Sequence, residues 1–178
     1  MIDWSECPAS GRRATLIEAL QALDGKAARI VEIGTSRNPD HAAMVSDGWA
    51  TRVFAWYAAT VGGGVTTVDT RAHALETARR ICRPWSDAVA FVEGDALDLA
   101  GSIELADTDL LYMDGPPDAD FHLRLWRAMG CRPWLVLFDD ILGGDFRVKG
   151  ELAIPNMLAD GYELVFRRER QALLRRAS

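Results

Sequence analysis

The sequence predicts an α/β fold of three layers: a mostly parallel, seven-stranded sheet with helices on both faces and a C-terminal antiparallel hairpin at one edge. Three observations carry this expectation. Apolar runs of strand length alternate with helical patterns of about 10–15 residues, the rhythm of parallel strands joined by right-handed crossovers. The runs are apolar at successive positions, as strands buried on both faces must be. After residue 140 the rhythm changes, and "YELVFR" and "QALLRR" stand close enough to pair as a hairpin.

Each element has its own local reason. In "RRATLIEALQAL" (12–23), Leu16, Ile17, Leu20 and Leu23 share one helical face, and Gly25 is a stop. The strand at 28–33 follows. "DGWATRVFAWYAAT" sets Trp49, Val53, Trp56 and Tyr57 at helical spacing, with Ser46 or Asp47 as its cap. "GGVTTVD" reads as a strand ending at Asp69, and "RAHALETARRIC" as a helix closed by Pro84. Next come the strand "AVAFVEG", a short helix around 96–104 and the strand "DLLYMDG". The helix "DFHLRLWRAMG" and the strand "WLVLFDD" complete the alternation. A Gly-rich loop, "ILGGDFRVKG", then leads to the helix "ELAIPNMLADG" and the hairpin. The repeated "CRPW" (82–85 and 131–134) marks two similar helix-to-strand junctions, each with a tryptophan able to pack under the incoming strand.

A chain of 178 residues with 49% apolar and 26% charged residues fits one domain, 1–178, with a full core. It divides into an N-terminal helical segment (1–27), a core that would bind a cofactor (28–140), and a final loop, helix and hairpin (141–178). The net charge of −6 argues against a nucleic-acid partner, which would need a clustered basic face. Arg167, Arg168, Arg170, Arg175 and Arg176 alternate with apolar residues and read as the solvated side of the hairpin. No run of about 18 apolar residues and no signal pattern occur, so no membrane partner is expected and the expected location is cytoplasmic. Cys7, Cys82 and Cys131 form no C-x-x-C pair and read as free thiols rather than a zinc site. The oligomeric state stays open, a homodimer being one option.

In an open parallel sheet, ligands sit at the carboxyl ends of the strands where the strand order reverses. The decisive residues are therefore Gly34, Asp69, Asp95, Asp114 and Asp139–Asp140. Asp69 can accept from both hydroxyls of a ribose. Asp95, in "VEGDAL", can accept from an exocyclic amine such as that of adenine, while the next backbone N–H, that of Ala96, meets a ring nitrogen. Aspartate is also a common helix cap, the competing structural reading for both residues.

The run "VEIGTSR", then Asp69, "EGDA", "LLYMDG" and "LVLFDD", with the terminal hairpin, resembles the class I S-adenosylmethionine-dependent methyltransferases. The resemblance spans residues 28–176 and is nearest to small enzymes similar to catechol O-methyltransferase and to the sugar and antibiotic O-methyltransferases. It implies a Rossmann-like sandwich, the cofactor S-adenosyl-L-methionine, and a small-molecule acceptor methylated on a hydroxyl. Gly34 would let the backbone approach the cofactor's methionine end, and Glu32 would take its ammonium directly or through water. Thr35, Ser36 or Asp47 would complete those contacts. The chain departs from the family in its long turn, where the next glycine is Gly48, which suggests a flap over the site. The acceptor walls should come from the segment around Trp4, the turn 35–49 and the loop 141–150.

A hydroxyl acceptor must lose a proton, and here the chain departs again. Where the catechol enzymes carry a lysine shortly after Asp114, this sequence has "GPPDADFH". The candidates for catalysis are Asp114 itself, His122, with a suitable ordinary pKa, and Lys149, one of only two lysines. Asp114, Asp139 and Asp140 end neighbouring strands and should converge, and close carboxylates repel unless a cation joins them. Mg2+ held by these three would relieve the repulsion and lower the acceptor's pKa. The resemblance supports the same positions, although the family carries an amide at Asp140.

Two other classes share this architecture. An NAD(P)-dependent oxidoreductase would want G-x-G-x-x-G, which is absent. A non-catalytic cofactor-binding protein should show a degraded acceptor side, whereas three aspartates make that side chemically rich. Neither a P-loop nor a nucleophile elbow occurs.

Overall fold

The computed structural model describes residues 1–44, 49–101, 108–130, 133–143 and 145–177. A single seven-stranded sheet organises them, in the order β3-β2-β1-β4-β5-β9-β8. Its strands are β1 (Arg29–Ile33), β2 (Gly64–Asp69), β3 (Val89–Glu93), β4 (Leu110–Met113), β5 (Leu135–Phe138), β8 (Tyr162–Arg168) and β9 (Gln171–Arg176). β1 to β5 run parallel, and β9 is antiparallel to both β5 and β8. The expected fold class is the observed one. A small separate hairpin, β6 (Ile141–Leu142) with β7 (Arg147–Val148), was not expected.

The helices are α1 (Arg13–Gln21), α2 (Ala50–Val61), α3 (Ala72–Ile81), α4 (Ala96–Leu99), α5 (Ala119–Met129) and α6 (Ala153–Ala159). α2 is buried from Ala50 to Ala58 apart from half-buried Arg52, and Gly62 ends it in the left-handed conformation. The residue before α2 is Trp49, itself at φ +50°, whose indole donates to the Asn38 carbonyl at 2.9 Å. The caps expected at Ser46 or Asp47 lie outside the described residues, as do Gly48 and Cys131. Among the described residues there are also three short 3-10 turns: Trp4–Glu6, His41–Ala43 and Arg83–Ala88. Both junction tryptophans, Trp85 and Trp134, pack half-buried against one core. Cys7 and Cys82 are free and buried. Among the described residues, no helix is long and apolar enough to cross a membrane.

Side chains alternate across the strands, so each face has its own core. Ile30, Tyr112, Leu137 and Leu173 meet α1 and α2 on one side; Val31, Met113, Phe138 and Leu174 meet α5 and α6 on the other. Ile33 pairs with both Val68 and Met113, and Met113 with Phe138. That register ends β1, β2, β4 and β5 at one level, which brings their last residues to a common rim. The order reverses between β1 and β4, where a ligand cleft belongs in this topology.

Candidate active site

A cleft of about 390 Å³ opens on that rim. Five of the sequence-selected residues line it: Gly34, Asp69, Asp95, Ala96 and Asp114. Arg37, Arg71 and Phe121 line it too, along with the prolines of "GPP". The sequence reading passed over these. Nothing in the spacing of Phe121 separates a cleft-facing ring from an ordinary core residue of an amphipathic helix.

Glu32, Thr35 and Ser36 lie below the cleft floor, all at least 95% buried. Glu32 points from β1 toward α2 and accepts from the Thr67 hydroxyl at 2.6 Å. Thr51, in the first turn of α2, bonds to the Thr35 hydroxyl at 3.1 Å and accepts from the Ser36 N–H at 3.2 Å. It also hydrogen-bonds Glu32. Burial pushes the Glu32 carboxyl up to about 8, against the lowering effect of these two threonines. The network anchors the turn after β1 to the helix behind it. These three residues thus shape the turn from beneath.

Asp69 is held tightly. Its carboxylate accepts from Thr35 N at 3.3 Å, from Arg71 N at 2.9 Å and from the Arg71 guanidinium at 3.0 and 3.1 Å. Burial alone would raise its pKa, yet the bonds from Arg71 and Thr35 outweigh it and keep the carboxyl below the usual range. Asp95 caps α4, accepting from Leu97 N at 2.8 Å while still facing the cleft. The capping reading of Asp95 and its place on the cleft therefore both hold.

Asp114, Asp139 and Asp140 converge as expected, with oxygens all within 4.8 Å of one another. Basic side chains of the same chain meet them. Lys149 donates to Asp114 Oδ1 and, at 3.2 Å, to Asp140 Oδ2. Arg12 Nε lies 3.2 Å from Asp139 Oδ1, and Arg170 Nη2 lies 2.7 Å from Asp140 Oδ1. Arg170 is thus more than a solvated face of the hairpin. Burial raises Asp114 to about 6, with Lys149 pulling it back and Asp139 adding to the rise. Asp140 is lowered, because Lys149, Arg170 and Arg12 together overcome its burial. Behind the cluster, Tyr112 bonds Asp139, and Gln171 donates to the Tyr112 oxygen at 3.2 Å.

His122 is placed differently from its sequence reading as a group near the acceptor. Its ring is fully buried, edge-on to Phe121 and Phe138, and Nε2 donates to the Pro116 carbonyl at 2.9 Å. Nδ1 is buried with no partner among the described residues. Burial lowers the imidazole to about 4 and keeps it neutral. The residue braces the "GPP" loop from behind. Trp4 stacks on Tyr57, 6.1 Å between centroids, and so packs into the core instead of walling the acceptor side.

No family model matches the sequence, and no curated protein matches it either. Solved structures do match in fold. The O-methyltransferase NovP aligns with a TM-score of 0.68 at 15% identity, over 94% of this chain and 80% of that one. An O-methyltransferase from Bacillus cereus in complex with SAH aligns at 0.64 and 18%, over 96% and 84%. The SAH-bound Podospora anserina methyltransferase PaMTH1 aligns at 0.64 and 16%, over 99% and 83%. At these identities the likeness is one of fold, and the Rossmann-like methyltransferase fold is the one this chain adopts.

Proposed function

We propose that this chain is an S-adenosylmethionine-dependent methyltransferase acting on a hydroxyl of a small molecule. The observation that carries the reading is one cleft at the switch point of this fold, in which Gly34, Asp69, Asp95 and Asp114 all meet. Two of these solved proteins of the same fold are named O-methyltransferases and the third a methyltransferase, and two of the three are named with SAH bound. A cytoplasmic setting belongs to the same proposal.

The residues present fit the cofactor. Gly34, at φ +85°, lines the cleft where the methionine end would lie, and its missing side chain lets the turn close against the Asp114 backbone. Asp69 would serve the ribose, and Asp95 with the N–H of Ala96 the adenine edge, against Val68 and Phe121 as apolar walls. Glu32, Thr35 and Ser36 serve by holding the turn. When bound, the cofactor supplies a methyl group on a sulfonium, which a hydroxyl oxygen can take as it gives up its proton. Asp114 is the member of the acidic cluster that lines the cleft, and it is the group we place to receive that proton. The cleft's size supports a small acceptor, because much of about 390 Å³ is needed for the cofactor.

The fit is different for Mg2+. Three carboxylates support a cation at their centre, but each already holds an ammonium or guanidinium of the chain. A divalent ion needs oxygens with free lone pairs at about 2.1 Å and a net negative cage. This cluster has the oxygens but no net negative charge, and the Lys149 ammonium already lies between two of its members, so the residues do not fit Mg2+ and no step is taken through it.

Calorimetric titration with S-adenosylmethionine and its demethylated product tests the reading. Binding of both, weakened by Asp69→Ala, is the expected result. Binding of NAD with neither of these would transfer the protein to the oxidoreductase class.

A further inference from the structure

Lys149 is buried to 97% although it belongs to a loop. It reaches Asp114 and Asp140 from the end of the β6–β7 hairpin, and its delivery is costly in backbone terms. Asp140, Phe146 and Val148 all have positive φ, +54°, +57° and +79°. Val148 is β-branched, for which this region is a true outlier, and it immediately precedes Lys149. Strain of this kind persists only where the surroundings over-determine it. Here the surroundings are two carboxylates closing on one ammonium.

The charges also balance. Three acids, Asp114, Asp139 and Asp140, face three bases, Lys149, Arg12 and Arg170, so the formal sum is zero. Each base comes from a different part of the fold: the approach to α1, the loop after β7 and the turn before β9. A divalent ion entering this group would meet a neutral cluster and a fixed ammonium between Asp114 and Asp140.

We infer that Lys149 occupies the place a divalent cation would take among these carboxylates, so that the site excludes metal and works without it. The inference rests on the methyltransferase reading for its catalytic meaning, since Lys149 would then position Asp114 toward the acceptor. Lys149 is thus a positioning residue. It stands behind Asp114, which is the member of the pair that lines the cleft.

The test is Mn2+ titration followed by electron paramagnetic resonance, on the full chain. Wild type should bind no Mn2+ up to about 1 mM, the range of the weakest carboxylate sites. Lys149→Ala should bind it, because the cage regains a net negative charge, and Lys149→Arg should again exclude it. Lys149→Gln gives a second route to binding if Lys149→Ala does not fold, whereas Arg170→Gln, which leaves the ammonium in place, should still exclude Mn2+. In the titration with S-adenosylmethionine, excess chelator should leave the wild-type affinity within about twofold. Where a catechol or sugar probe is methylated, the rate should also survive chelator. Stoichiometric Mn2+ binding by wild type, or loss of the rate in chelator, would overturn the inference. So would exclusion of Mn2+ by both Lys149→Ala and Lys149→Gln, or its binding by Arg170→Gln. Failure to bind S-adenosylmethionine would instead sink the functional reading, leaving the metal result to stand on its own.

Discussion

Gly34 and Asp114 are in backbone contact: a β-carbon on Gly34 would sit 2.3 Å from the Asp114 carbonyl oxygen and 2.9 Å from its carbonyl carbon. The pairing of Ile33 with Met113 one residue earlier makes this unavoidable. Glycine is therefore required at the end of β1 by the neighbouring strand, whether or not a ligand is bound. Gly34→Ala adds left-handed strain of about 1–2 kcal/mol and forces the end of β4 to shift. The expected outcome is a loss of about 2–4 kcal/mol in urea unfolding, with weaker binding of S-adenosylmethionine. An unchanged midpoint would refute the packing argument.

Glu32 should make the fold less stable as the solution becomes alkaline. Its carboxyl is raised to about 8, so the native state keeps a proton that the unfolded chain has already lost. Stability is full below about pH 4.5, falls as pH rises toward 8 and then levels. Asp114, raised to about 6, adds a slope of the same sign below that pH. Glu32→Gln still accepts from Thr67 and Thr51 but carries no charge. The variant should be the more stable protein at pH 8, by roughly 1–3 kcal/mol, and its melting temperature should vary less above about pH 6.

His122 should act at the other end of the scale. Held neutral with a pKa of about 4, it leaves the unfolded chain to take up a proton first as pH falls. The stability that depends on the neutral ring is present above about pH 6.5 and is lost as pH falls toward 4. His122→Leu should flatten that acid limb in thermal melts, at the cost of the Pro116 bond. In methyl transfer to a probe hydroxyl, the same variant should keep the wild-type pH profile. A lost limb in that profile would restore His122 as the base.

Asp69 collects three donors from Arg71 and one from Thr35. Asp69→Ala frees that guanidinium and orphans the Thr35 N–H in a buried turn. Bonds to a charged group contribute about 1.5–3 kcal/mol each when cut singly, so a loss of about 2 kcal/mol or more is expected. Affinity for S-adenosylmethionine should fall at least about tenfold by calorimetry. Equal affinity would show that the ribose is not read by this carboxylate.

The sheet was legible because its strands are short apolar runs between helical patterns, a signal that survives in one sequence. "QALLRR" was read at the residues β9 occupies, and every strand end carrying an acid was found. The acidic cluster was legible for the same reason: register follows from apolar pairing. What the sequence hid was the set of its partners. Arg12 and Arg170 reach Asp139 and Asp140 only because β9 lies beside β5 and α1 lies over both, which no local pattern encodes. β6 and β7, at two residues each, are too short for any period to show. The left-handed residues that steer Lys149 inward are not glycines, so the usual marker of such a turn was missing. Glu32, inside the first strand, and Thr35 and Ser36, just after it, are tied to Thr67 and Thr51, partners that lie far away in sequence and that no local pattern shows.

The position of β9 between β5 and β8 also sets a timetable for synthesis. As the chain leaves the ribosome, β8 emerges with no strand to pair with, since its neighbour β9 is made after it. Until Arg170 and Gln171 appear, Asp140 lacks its nearest guanidinium and Tyr112 its amide donor. The first residues of α1 wait for the same moment, because Thr15 bonds to Gln171 across 156 positions of sequence. A nascent chain can thus hold five parallel strands and every residue that lines the cleft while the acidic cluster beside Asp114 still lacks Arg170. Completion of the last strand is the event that supplies the cluster with its last base and ties α1 to the sheet.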